Sequence, residues 1–231
     1  MTGISGITKI SVGYLSTCAT LQDGTAHCWG NNHSAALGGG DALNGIDSSP
    51  EPVNVHGLTD VVDISASHSM GSASHGCAVL DSGSAYCWGA NNERQGGYDT
   101  NVGSAVPLHV ERLTEGLEIS TGGTHTCVLR RDSTARCWGA ENYFLTSDTS
   151  PLGREFVFHQ GETGRSWNPP ESELMKGLTA ISAGSLHTCA ALQDGAVICW
   201  GRNREGQLGN GTEDSSKSPV RVLLPGTEGD T

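Results

Sequence analysis

Residues 181–201 read ISAGSLHTCAALQDGAVICWG: two runs of strand-forming residues joined across Gln193-Asp194-Gly195, with one cysteine in each run. The same segment occurs three more times, from Ile10 to Gly30, from Ile64 to Gly89 and from Ile119 to Gly139. The first cysteines stand at 18, 77, 127 and 189, which sets repeat steps of 59, 50 and 62 residues. A period near 50 filled with short strands marks a radial repeat of propeller blades. Between units lie weaker outer strand candidates, Pro52-Val53-Asn54-Val55, Pro107-Leu108-His109-Val110 and Pro219-Val220-Arg221-Val222. Proline fits the first residue of an edge strand, where a missing N–H costs least. The expectation is an all-β chain, a propeller-like array of four four-stranded blades. It forms a single domain over 1–231 with blades near 7–60, 61–116, 117–177 and 178–226, either closed as a four-blade ring or left as an open arc.

Register follows from the cysteine spacing. Nine residues separate the two cysteines in every unit, so the midpoint falls on one residue: Asp23, Ser82, Asp132 or Asp194. An odd midpoint suits a three-residue hairpin loop, a type I turn followed by a left-handed residue. Gly24, Gly83 and Gly195 supply that residue, whereas Ser133 in the third unit predicts a strained or differently shaped turn. Counting outward, Leu21 faces Thr25, Thr20 faces Ala26, Ala19 faces His27 and Cys18 faces Cys28. Non-hydrogen-bonded partners sit about 4.5 Å apart at Cα, within disulfide range. The expected bridges are Cys18–Cys28, Cys77–Cys87, Cys127–Cys137 and Cys189–Cys199, each worth roughly 2–3 kcal/mol in the chain-entropy model. They point to an oxidising location, secreted, periplasmic or cell-surface. Reduced pairs packed between strands of a cytosolic protein are the alternative. Zinc is disfavoured because close-spaced C-x-x-C pairs are absent.

Composition narrows the function classes. With 33 glycines in 231 residues a helical bundle is disfavoured, since each interior helix glycine costs about 1 kcal/mol relative to alanine. The formal charge of −12, with no run of Lys or Arg, argues against nucleic acid as a partner. No stretch of 18 consecutive apolar residues is present, so no membrane span is expected. Met1 to Lys9 lack the pattern of a signal peptide, which makes a secreted form a trimmed product of a longer one.

The fourth unit adds Gly184, His187, Thr188, Ala191, Leu192, Asp194, Gly195, Val197, Trp200, Gly201, Asn203, Gly206, Gln207, Leu208 and Gly209. In these residues the chain resembles the regulator of chromosome condensation repeat family, over most of its length. The added cysteine pair is similar to the variety found in bacterial extracellular members. The resemblance implies a β-propeller of four-stranded blades, in a family whose familiar members close with seven. It does not fix an activity: members include a nucleotide-exchange factor, a light sensor and a β-lactamase inhibitor, and none of their contact residues can be placed on this chain.

Candidate functional residues divide into those that recur and those that do not. His75, His125 and His187 precede the first cysteine by two residues, with Ser16 in the first unit. Gathered round an axis they could hold a metal or an anion, but the expected role is a hydrogen bond to a neighbouring blade. The tryptophans of Cys-Trp-Gly read as inter-blade core. The enlarged connection 140–179 does not recur. It holds Tyr143, Phe144, Phe156, Phe158 and Trp167 with Arg154 and Arg165, an expected contact surface for a protein or carbohydrate ligand. No Gly-x-Ser-x-Gly, phosphate-binding glycine loop or His-Glu-x-x-His is present. The expectation is a non-catalytic extracellular binding module without cofactor or metal. Two alternatives stay open: an enzyme with its site at the enlarged loop and central mouth, and a structural subunit that self-associates through its end blades.

Overall fold

The computed structural model describes residues 4–40, 45–69, 71–98, 100–140, 166–167 and 177–223. Its strands group into four antiparallel sheets of four, each a meander in chain order. Blade 1 comprises β1 (Ile7–Val12), β2 (Ser16–Leu21), β3 (Ala26–Asn31) and β4 (Ser48–Asn54), and blade 2 comprises β5 (Val61–Ala66), β6 (His75–Leu80), β7 (Ala85–Gly89) and β8 (Ser104–His109). Blade 3 holds β9 (Gly116–Thr121), β10 (His125–Arg130), β11 (Ala135–Gly139) and β12 (Ser166–Trp167); blade 4 holds β13 (Leu178–Ala183), β14 (His187–Leu192), β15 (Val197–Gly201) and β16 (Ser216–Arg221). The outer strands of blades 1, 2 and 4 begin at serines upstream of Pro52, Pro107 and Pro219, so these prolines lie inside edge strands rather than at their starts. No helix among the described residues is long and apolar enough to cross a membrane.

Each central hairpin is set by its turn. The N–H of Gly24 donates to the Leu21 carbonyl at 3.0 Å, and Gly83, Ser133 and Gly195 repeat the bond at 2.8, 2.9 and 3.0 Å. The midpoint side chain locks the loop from within: Asp23 Oδ1 accepts from both the N–H and hydroxyl of Thr25, as Asp132 does from Thr134, and Asp194 accepts from the Ala196 N–H. Ser133 keeps this turn at φ +62°. The third turn is therefore strained, and its shape is unchanged. The resulting register places Cys18 opposite Cys28 and repeats this in the other units, with Cα separations of 4.0–4.1 Å and all four disulfides formed.

Blades pack by laying the cysteine face of one on the isoleucine–tryptophan face of the next. Between blades 1 and 2, Cys18, Cys28, Leu37 and Val55 meet Ile64 and Trp88. Between blades 2 and 3, Cys77, Cys87 and Val110 meet Ile119 and Trp138, and between blades 3 and 4, Cys127, Cys137 and Leu129 meet Ile181 and Trp200. The innermost strands β1, β5, β9 and β13 lie side by side in that order. Ile64, Ile119 and Ile181 are 2–3% exposed, but the equivalent Ile10 is 56% exposed. Among the described residues no blade covers that face, so the four blades form an open arc rather than a closed ring.

Candidate interaction site

The residue immediately before the repeated isoleucine is charged in three units, Lys9, Asp63 and Glu118, and is Ala180 in the fourth. In the fold these positions line up along the concave side of the arc. Within each innermost strand alternate N–H groups bond the hairpin and the others face the axis, which leaves donors that a neighbouring side chain must satisfy. Asp63, almost fully buried, accepts from the Ile119 N–H of the next blade at 2.7 Å and from Lys9 Nζ of the preceding blade at 2.7 Å. Glu118 accepts from the Ile181 backbone in the same way, and burial holds its carboxyl above the usual carboxylate range. Lys9 opposes that shift and Asp63 reinforces it.

One position further along, serine performs a second stitch. Ser11 Oγ accepts from the Ala66 N–H at 3.0 Å, Ser65 Oγ from Thr121 at 3.0 Å and Ser120 Oγ from Ala183 at 2.8 Å. The groove that results, about 510 Å³, runs from Lys9–Val12 across Asp63–Ser65 and Glu118–Ser120 to Ala180–Ala183. Polar groups in it are largely committed to holding blades together.

The mouth of the arc is chemically different. Tyr14 from blade 1, His68, Asn92 and Glu93 from blade 2, Thr124 from blade 3 and Leu186 from blade 4 line a cleft of about 450 Å³. Tyr14 is 54% exposed, and the Thr124 hydroxyl is shielded from water with no hydrogen-bond partner. An exposed amphipathic ring beside unspent polar groups suits a macromolecular contact. These residues lie on loops just before and after the repeated strands. They differ from unit to unit, so a reading guided by the repeat passes over them.

The histidines do not converge. His75 Nε2 bonds Thr126 Oγ1 of the next blade at 3.0 Å, and His125 Nε2 bonds Thr188 Oγ1 at 2.9 Å. Burial pulls His75 down to about 4 and His125 to about 3, with the charges of His75 and His187 adding to the effect at His125. Among the described residues no group of three His, Cys, Asp or Glu side chains is placed to hold a metal. In the first seam both members of the bond are replaced together, by Ser16 on blade 1 and Gly76 on blade 2. Tryptophans cross the same seams: Trp88 Nε1 donates to the Ala36 carbonyl and Trp138 Nε1 to the Gln95 carbonyl, each at 2.8 Å. Tyr143, Phe144, Arg154, Phe156, Phe158 and Arg165 lie outside the described residues, and Trp167 is described only as backbone, paired with Cys137.

Comparison with known proteins agrees with this architecture. Models of the Regulator of chromosome condensation (RCC1) repeat match residues 7–35, 61–95, 118–144 and 178–207, and a second model of that repeat matches 82–129 and 194–228. Protein pim1 of Schizosaccharomyces pombe is 26% identical over 230 residues, covering 93% of this chain and 40% of pim1. The ultraviolet-B receptor UVR8 of Arabidopsis thaliana is 27% identical over 222 residues, covering 95% of this chain and 46% of the receptor. The chain thus spans less than half the length of these relatives. In the crystal structure of yeast RCC1 (Prp20) bound to Kap60, the matched chain superposes with a TM-score of 0.75 at 20% identity, covering 96% of this chain and 49% of that one. Four matched repeats, four four-stranded blades and the shared seam pattern make this chain a member of the RCC1 repeat family.

Proposed function

We propose that the chain is a protein-binding module of an oxidising compartment, and that its partner seats on the mouth cleft. The observation that carries the reading is the cleft itself: Tyr14, Glu93 and Thr124, contributed by three blades, stand together with polar groups that no seam uses. A rigid stack of blades holds them in place, so little ordering cost falls on binding. Yeast RCC1 (Prp20) is itself found bound to a protein, Kap60, which supports a protein as the class of ligand. Eight cysteines in four disulfides, with none free, support the compartment. The aromatic segment 143–167 is a second proposed contact surface of the same module.

The test is a screen of the oxidised chain against a displayed peptide library, followed by affinity measurement on enriched sequences. Tyr14→Ala and Glu93→Lys each weaken binding by more than about 2 kcal/mol if the cleft is the hot spot. Alanine at Phe156, Phe158 and Trp167 reports on the second surface in the same assay. Enrichment insensitive to all five substitutions defeats both placements.

A further inference from the structure

The internal seams draw on a common set of links, and the two free ends of the arc carry opposite halves of them. At the turn, the Gly24, Gly83 and Ser133 carbonyls accept from the Val61, Gly116 and Leu178 N–H groups of the following blade. Gly195 occupies that place on blade 4, where an added Cβ would meet nothing within 4 Å, and Ile7 is the equivalent of Val61 on blade 1. At the axis, Ser182 is the blade 4 equivalent of Ser11, Ser65 and Ser120, and it is exposed. Its complement on blade 1 is the Val12 N–H. Gly13 donates to Ser16, so alternation along the strand turns the Val12 N–H away from β2.

In the interior of the seam the match is closer. At the seam between blades 2 and 3, the Gln95 carbonyl accepts from both Trp138 Nε1 and Thr126 Oγ1, while Thr126 also bonds His75. Blade 4 repeats the receiving half with Gln207 and His187. Blade 1 repeats the donating half with Trp29 and Thr17, both half-buried. Among the described residues the Thr17, Trp29 and His187 side chains have no hydrogen-bond partner, and the Gln207 side chain bonds only Glu205 of its own loop, which leaves the Gln207 carbonyl to receive a donor. The apolar halves also correspond: Ile10 and Val12 are 56% and 63% exposed on blade 1, and Cys189, Ala191 and Val197 are left partly open on blade 4. One link is missing, because Ala180 replaces the carboxylate that would take the Ile10 N–H. The first seam tolerates the same loss, since Lys9 stands there in place of the carboxylate and the Ile64 N–H bonds Asp63 of its own strand.

We propose that blade 4 of one copy docks on blade 1 of a second copy, with His187 meeting Thr17, Gln207 O meeting Trp29 Nε1 and Ser182 meeting the Val12 N–H. A second copy is favoured because this chain carries both halves of the seam. The arc also matches 49% of the yeast RCC1 chain, so two arcs have the length of that whole chain. Two such contacts related by a twofold axis close the pair, which stops growth at a dimer. The proposal is independent of what binds the mouth cleft.

Sedimentation velocity on the oxidised 231-residue chain, from about 1 to about 100 µM, works at and above the weak end of the dissociation constants of interfaces of ordinary size, so a pair of that kind is populated. The expected result is a species of twice the chain mass. Ile10→Arg and Val197→Arg each place a charge on one free face that is open in the single copy, so the circular dichroism spectrum stays unchanged while each variant alone sediments as a monomer. Mixing the two restores a dimer, since the good blade 4 of the first meets the good blade 1 of the second. A wild-type chain that stays monomeric overturns the proposal and leaves a covalently continuous blade as the occupant of these faces. A dimer that both arginine variants retain also overturns it.

Discussion

Ser133 holds φ +62° where the other three turns have glycine, and the four hairpins thereby form a graded series for testing backbone strain. A non-glycine residue in the left-handed region costs of order 1 kcal/mol, so Ser133→Gly is expected to stabilise the chain by about that amount. Gly195→Ala is expected to cost about 1 kcal/mol, because it meets nothing but its own backbone preference. Gly83→Ala costs more, since its Cβ would lie 2.8 Å from the Glu115 backbone of the next blade. Urea denaturation of the three variants checks both sign and order. Equal losses at Gly83 and Gly195 would mean that the turn is not held against the following blade. The sequence alone shows the odd residue, but not that the hydrogen bonds around the turn keep its shape and convert the mismatch into strain.

At the scale of the hairpin, much of the structure is legible from cysteine spacing. Nine intervening residues fix the midpoint, the midpoint fixes the turn, and the turn fixes which residues face each other. The outer strands are less legible: Pro52, Pro107 and Pro219 suggested strand starts, whereas pairing begins earlier and runs through a register shift before reaching them. The axial set of Lys9, Asp63 and Glu118 was visible in the alignment as the residue before isoleucine. The repeat hides it, because its chemistry changes from unit to unit while its role as a stitch does not. The disulfides give a test at this scale. Replacing Cys77 and Cys87 by alanine is expected to cost about 2–3 kcal/mol from loop entropy, plus a cavity contribution because both are fully buried. In the monomeric Ile10→Arg variant, whose blade 4 face is left uncovered, differential alkylation under mild reductant should open Cys189–Cys199 first, as Cys189 is the one cysteine left partly open, and the buried Cys77–Cys87 much later. Simultaneous reduction of all four bridges would contradict a folded arc with one bare cysteine face.

Among the described residues blades pack mainly against their chain neighbours, so stability is approximately a sum over blades and seams, as in other repeat proteins. The open arc was not legible, because blade count and sequence do not state the angle between sheets. Only the exposure of Ile10 against its three buried equivalents reveals it. Acid acts on the seams through His75 and His125, which are held below the ordinary 6.5 in the folded chain. The unfolded chain therefore binds more protons below that pH. The stability linked to these residues is complete above about 6.5 and is lost as pH falls toward about 4 for His75 and about 3 for His125. Glu118, raised by burial, works in the opposite direction and softens the loss. Thermal melts from pH 8 to pH 4 should show a falling Tm that a His75→Gln, His125→Gln double variant flattens, and a parallel decline in that variant would remove imidazole protonation as the cause. The seam between blades 1 and 2, with Ser16 and Gly76 in place of histidine and threonine, has no such proton to take up. It is a link short at neutral pH and holds no buried imidazole to protonate, while its two neighbours weaken as pH falls through the histidine range, so the line along which the arc first parts migrates with pH from the first seam toward the interior.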